Sequence, residues 1–228
     1  MNFLHFGGGA GDLDPNTFYR DGFSEFVKAY KSKNKNIFVV EANPTNIPIL
    51  KKSWKMYKSV KVFNFAITSK KNKKIKFFLS ENDGPYYQTF SNDKNHVKRH
   101  FPNSSIKSKY IKSKNVNEFF YENFNKKKID YFSIDIEGSD YEVIMNLNLN
   151  KYDIQNISLE YLHLKKNQKE KILKKLIKNG YSYFGFGLDV NKIDWFFKKK
   201  KCKWNNIIAK FLPIIHRKHY KRLNKFLI

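Results

Sequence analysis

Short apolar runs alternate with segments whose apolar positions recur at helical spacing, from the first residues of this chain to about residue 197. The first run, Phe3 to Phe6, leads straight into Gly7-Gly8-Gly9-Ala10-Gly11-Asp12. Phe23, Phe26, Val27 and Tyr30 then mark one helical face, with Asp14-Pro15 read as the cap and first helical residue. Ile37 to Val40 is a second strand and ends in Glu41-Ala42-Asn43-Pro44. A helix from about Thr45 to Tyr57 carries Ile49, Leu50 and Trp54 inward. Val60 to Ile67 reads as a third strand, and Lys74 to Leu79 as a short edge strand. Residues 80 to 108 have no period, and Tyr110 to Lys112 looks extended. Asn117 reads as the cap of a helix running to Phe124.

Ile129 to Ile134 forms a buried strand that runs into Asp135, Glu137 and Gly138. Ser139 and Glu142 have the spacing of a capping box, which starts a helix with Val143, Ile144 and Leu147 on its inner face. Ile154 to Leu162 is the next strand, and Ile172, Leu173, Leu176 and Ile177 stripe the helix after it. Gly180 follows as the C′ glycine. Tyr181 to Phe186 and Ile193 to Phe197 then read as an antiparallel hairpin. Strands alternating with helices and closed by a hairpin predict an α/β fold: a doubly wound, mostly parallel sheet whose last strand is inserted antiparallel.

Such sheets place ligand chemistry at the carboxyl ends of their strands. Four strand ends stand out. The glycine cluster suits a close backbone approach to a ligand, and Glu41 lies 30 residues past Gly11, where an acid holds ribose hydroxyls. Asp135 and Glu137 end the central strand. Glu160 and His163 end the one after it. A segment as long as 80 to 108 inside a compact domain is more often functional than idle, so substrate contacts are expected from 80–112.

Composition adds less. The 228 residues, 41% hydrophobic and 17% aromatic, make one folded domain over 1–200 and exclude a disordered chain. Residues 201–228 form a basic amphipathic tail, expected to pack on the body, with contact to an anionic membrane as the lesser option. No apolar run approaches the ~20 residues of a bilayer span, and Cys202 is the only cysteine, so a cytoplasmic protein is expected. The formal charge is +25, yet only Arg20, Arg99, Arg217 and Arg222 among the 45 basic residues are arginines. Phosphate recognition favours the guanidinium fork, so the charge is weak evidence for nucleic acid.

Four passages resemble the FkbM family of class I S-adenosylmethionine-dependent methyltransferases. They are the glycine motif Gly7 to Asp12, the E-x-N-P segment Glu41 to Pro44, the I-D-x-x-x-I-D-x-E-G passage Ile129 to Gly138, and the strand Ile157 to Tyr161. Two positions depart from the family pattern: His5 stands where an acid is frequent, and Ser133 where Lys is. The resemblance implies S-adenosylmethionine as cofactor and S-adenosylhomocysteine as product. It implies that Gly7, Gly9 and Gly11 approach the methionine moiety and Asp12 holds its ammonium. Glu41 would accept the ribose hydroxyls, with Ala42 and Asn43 beside the adenosine, and His5, Ala66 and Asp135 would complete the cofactor set. Asp135 would orient the acceptor hydroxyl or remove its proton, with Glu137, Glu160 and His163 as the other catalytic candidates. Converging carboxylates can hold a divalent cation, but no metal ligand is assigned. The implied reaction is O-methylation of a sugar hydroxyl in a glycan or of a secondary metabolite. RNA 2′-O-methylation and a catalytically silent nucleoside-binding scaffold are the alternative readings.

Overall fold

Side chains on successive strand residues point to opposite faces, and here both faces are apolar. A computed structural model of the protein describes residues 1–15, 17, 22–31, 34–71, 73–84, 89–187 and 193–199. The tail 201–228, the hairpin turn at 188–192 and Tyr86-Tyr87 lie outside the described residues. The elements run β1 (Asn2–Phe6), α1 (Phe23–Ala29), β2 (Asn36–Glu41), α2 (Ile47–Ser53), β3 (Ser59–Asn64), β4 (Ala66–Thr68), β5 (Lys74–Ser80), α3 (Lys94–His100) and β6 (Ile106–Asn115). They continue with α4 (Val116–Phe124), β7 (Lys128–Ile129), β8 (Tyr131–Ile134), α5 (Asp140–Asn146), β9 (Asp153–Ile154), β10 (Asn156–Glu160), α6 (Lys166–Lys178), β11 (Tyr181–Phe186) and β12 (Asp194–Lys199).

Seven strands form the main sheet in the order β11-β12-β10-β8-β1-β2-β3. β3, β2, β1, β8 and β10 are parallel, while β12 pairs antiparallel with both β10 and β11. This is the expected doubly wound sheet with an inserted antiparallel strand. On one face Phe3, Ile37, Val39 and Tyr131 pack with Phe23, Phe26 and Val27 of α1 and Leu50 of α2. On the other, Leu4, Phe6, Phe38, Val40, Phe132 and Ile134 meet α4, α5 and α6. Phe6, Phe120 and Phe132 sit at the centre of the second layer, with ring centroids 4.9 to 6.0 Å apart.

Several local expectations are corrected. Helix α1 starts at Phe23, not at Asp14-Pro15. Its first turn follows Gly22 at φ 75 and is capped from a distance by Asp12, whose Oδ2 accepts from Ser24 N at 2.8 Å. Asn115, not Asn117, caps α4, its side chain accepting from Asn117 N and Glu118 N. The Ser139–Glu142 capping box does not form, because Ser139 Oγ accepts from Asn92 and Glu142 accepts from Ser69. The expected strand 129–134 breaks at Asp130, which is hydrogen-bonded to Asn2 and Asn156, so β7 pairs with β9 and β8 joins the main sheet. Likewise the run from Val60 divides, β3 staying in the main sheet and β4 joining β6 and β5 in a second one.

That second sheet contains the expected edge strand and the extended 110–112, while α3 and the start of β6 come from the stretch the periodicity left irregular. Asp93 caps α3 through Asn95 N, and Phe77 stacks on Phe90 at 4.7 Å beneath β6. No helix among the described residues is long and apolar enough to cross a membrane. Because Phe120 is fully buried between Phe6, Phe132 and Tyr152, Phe120→Ala is expected to cost about 3–5 kcal/mol in denaturant unfolding. Met56→Ala, at a 71% exposed side chain, is expected to stay within about 0.5 kcal/mol in the same measurement.

Candidate active site

The turn after β1 is shaped by its neighbours before any ligand is considered. Gly7 sits at φ 89, and a Cβ there would lie 1.5 Å from the carbonyl oxygen of Asp135. Gly7 N and Gly8 N both donate to Val40 O, at 2.9 and 3.1 Å, which ties the turn to the end of β2. Gly9 differs, since a Cβ on it would meet nothing within 4 Å despite its φ of 50. Its N–H donates to Glu41 Oε2 at 2.7 Å, and Asn43 N donates to Oε1 at 2.5 Å. Burial pushes the Glu41 carboxyl up, and the two N–H donors oppose the shift.

The second turn follows β8. Asp135 N donates to Phe6 O, and Glu137 then adopts φ 41, a left-handed conformation that costs a non-glycine residue about 1 kcal/mol. Three anchors hold it. Asp140 accepts from Ile136 N at 2.9 Å and from Gly138 N at 3.3 Å, and Ser91 Oγ donates to Glu137 O at 2.6 Å. The strained residue points its carboxylate at a cluster of imidazoles. Its Oε2 lies 2.9 Å from His96 Nε2 and 4.0 Å from His163 Nε2, while Glu160 Oε1 is 3.4 Å from the same His163 nitrogen. The His96 contact is close but bent, short of an aligned hydrogen bond.

Burial dominates the electrostatics. It lifts Glu160 to about 12, with Asp135, Glu137, Asp140 and Asp194 adding repulsion, and lifts Glu137 to about 8, helped by Asp140 and Asp83. It lowers His163 to about 4, with His96, His100 and Arg99 pushing the same way, and it lowers His96 and His100 as well. The cluster therefore carries less charge than its residue types suggest.

Both turns open into one cavity of about 580 Å³, the size range of small-molecule sites. Gly7, Gly9, Gly11, Asp12, Glu41, Ala42 and Ala66 line one part of it, and Asp135, Glu137, Glu160 and His163 another. Two residues assigned to the cofactor set stand off its wall. His5 is buried in β1 with its ring stacked 4.6 Å from Phe23, and Asn43 stands behind Glu41 as its hydrogen-bond donor. The segment 80–112 contributes Asp83, Thr89, Phe90, His100 and Phe101. Asp83, His96 and His100 belong to the segment 80–112 expected to contact substrate, with no individual role assigned, and Asp140 and Asp194 were not singled out from the sequence. Only Asp140, five residues past Asp135, carried a usable signal.

Three solved structures are similar to this chain at low identity. Human methyltransferase 10 domain containing protein is 12% identical, with 89% of this chain and 72% of that chain covered and a TM-score of 0.45. The fibrillarin pre-rRNA processing protein of Methanococcus jannaschii is 10% identical, with 87% and 66% covered and a TM-score of 0.44. Aeropyrum pernix fibrillarin, solved with natively bound S-adenosyl-L-methionine, is 8% identical, with 86% and 64% covered and a TM-score of 0.43. No match was found among curated proteins. The model of the Methyltransferase FkbM domain matches residues 8–183. The chain belongs to the FkbM methyltransferase family.

As an FkbM methyltransferase it uses S-adenosylmethionine, and the cavity fits that cofactor. The open space at Gly9 leaves room for a ligand against the backbone, and the Glu41 carboxylate lies directly beneath. A glycine turn tied to a buried acid is what a nucleoside with a charged amino-acid arm needs. The two glycines should respond differently to alanine. Gly7→Ala collides with Asp135 and is expected to lower the melting temperature sharply, by more than about 3 kcal/mol of stability. Gly9→Ala costs about 1–2 kcal/mol of backbone strain and is expected instead to weaken cofactor binding, read by thermal melts and calorimetric titration.

Proposed function

We propose that this FkbM enzyme methylates a hydroxyl oxygen of a sugar-bearing or other polyhydroxylated small acceptor. The observation that supports it most is the make-up of the shared cavity. Seven Asp and Glu side chains line it, and no Lys or Arg does so among the described residues, in a chain of net charge +25. Such a wall disfavours a phosphodiester backbone near the reacting centre and suits hydroxyl donors, which carboxylates accept. The basic exterior would favour RNA, so RNA is the competitor that the test must include.

In this reading the glycine turn and Asp12 hold the methionine arm, and Glu41 accepts the ribose hydroxyls. Asp135 lies at the seam between the two turns and accepts the hydrogen bond of the acceptor hydroxyl, which orients the oxygen and takes its proton. S-adenosylmethionine supplies a methyl group activated on a sulfonium, and its sulfur keeps the carbon–sulfur electron pair. Phe77, Phe90 and Phe101 offer apolar faces for the acceptor's ring carbons.

Calorimetric titration with S-adenosylmethionine is expected to show micromolar binding, weakened about 100-fold, or ~3 kcal/mol, by Glu41→Ala. Methyl transfer from labelled cofactor is expected with glycans or polyhydroxylated metabolites and not with RNA. Transfer to RNA alone would discard the acceptor class proposed. Asp135→Asn is expected to lower kcat by a factor on the order of 10²–10⁴ with cofactor affinity kept within a few fold. Full turnover in that variant would remove Asp135 from the reaction.

A further inference from the structure

At one end of the methyl-transfer cavity, donor atoms from three separate elements form two triads that share His163. Glu137 comes from the strained turn after β8. Glu160 ends β10, with His163 three residues on, and His96 and His100 come from α3. One oxygen each of Glu137 and Glu160 and one His163 nitrogen lie within 4.8 Å of one another, and so do single nitrogens of His96, His100 and His163. Atoms about 2.1 Å from a shared ion stand about 3.0 Å apart at a right angle, about 3.4 Å apart at a tetrahedral angle and about 4.2 Å apart when opposite. The separations of 3.4 and 4.0 Å from His163 to Glu160 and Glu137 fall within that span, and the 2.9 Å between His96 and Glu137 lies just under its lower end.

A second observation is independent of the spacing. His96 is 1% exposed, and neither of its ring nitrogens makes an aligned hydrogen bond; Glu137 Oε2, 2.9 Å from Nε2, makes none either. Buried polar atoms without aligned hydrogen bonds are costly, and an ion held at this cluster would offset that cost. The acidic, lysine-free lining supplies a field of the matching sign.

We propose that Glu137, Glu160 and His163 form a binding site for one divalent transition-metal ion at the acceptor end of the cavity, with His96 against Glu137 and His100 on the far side of His96 and His163. The donor set selects the class of ion. Imidazole suits Mn²⁺, Fe²⁺, Co²⁺ and Zn²⁺, whereas Mg²⁺ and Ca²⁺ favour all-oxygen shells, and among the described residues no thiolate joins the cluster to favour softer ions. Ion binding stands on these residues alone. The role of the ion rests on the methyl-transfer reading: it would coordinate the acceptor hydroxyl and lower its pKa, so that the proton leaves readily to Asp135.

The test uses the full chain, stripped by chelator and carrying His216→Gln and His219→Gln to remove the two imidazoles of the tail. Titration with Co²⁺ is expected to raise visible d–d absorption that saturates at one equivalent and is displaced by Zn²⁺ but not by a hundredfold excess of Mg²⁺. Glu160→Gln/His163→Ala is expected to abolish the bands, and His96→Ala to weaken Co²⁺ at least tenfold, both variants still binding S-adenosylmethionine. Absence of the bands in the parent protein overturns the site, as does equal Co²⁺ binding by a double variant that retains cofactor affinity. Bands present without any cofactor binding would leave the metal site standing and overturn the methyl-transfer reading instead.

Discussion

The contact between Gly7 and the Asp135 carbonyl is the constraint on which the rest of the site depends. β1 and β8 are parallel neighbours, and their ends are locked by the Asp135 N to Phe6 O bond. With only hydrogen at the Gly7 α-carbon, the cofactor turn and the acidic turn meet without a side chain between them. From β1 the sheet proceeds one way to β2 and β3 and the other way to β8 and β10. The chain's two halves therefore separate at this seam, which opens the crevice that open α/β sheets use for ligands.

Charge is distributed against the overall composition. In a chain with 45 basic residues, no Lys or Arg among the described residues lines the cavity, and carboxylates concentrate there. Burial then drives those acids toward protonation and the imidazoles toward neutrality, because charge without water or a counter-ion is costly. A ligand that brings positive charge lowers that cost. The cavity is thus electrostatically complementary to a cationic cofactor, and the same argument extends to a metal ion.

Support for the strained Glu137 comes from outside its own βα unit. Ser91, Asn92 and His96 belong to the segment between β5 and β6, yet they bind the Glu137 carbonyl, Ser139 and the Glu137 carboxylate respectively. The second sheet therefore serves as more than a cover over the acceptor end. It holds the acidic turn in a conformation that the turn alone would not keep.

The sequence by itself determined the alternation of strands and helices, the antiparallel hairpin, the glycine turn and the three acidic strand ends. Each of these is written in residues within one turn or one strand of each other, through a period of 2 or 3.6 or a backbone that only glycine tolerates. Helix α3 escaped notice because seven residues with few apolar positions carry almost no period. The true caps were also hidden: Asp12 reaches Ser24 across 12 residues, and the expected Ser139–Glu142 box gave way to partners 47 and 73 residues distant. Only the tertiary structure decided that His96 meets Glu137, that Asn43 and His5 stand off the cavity wall, and that Asp140 pins the acidic turn. Those are contacts between elements, set by how the layers pack, and no local pattern of side chains records them.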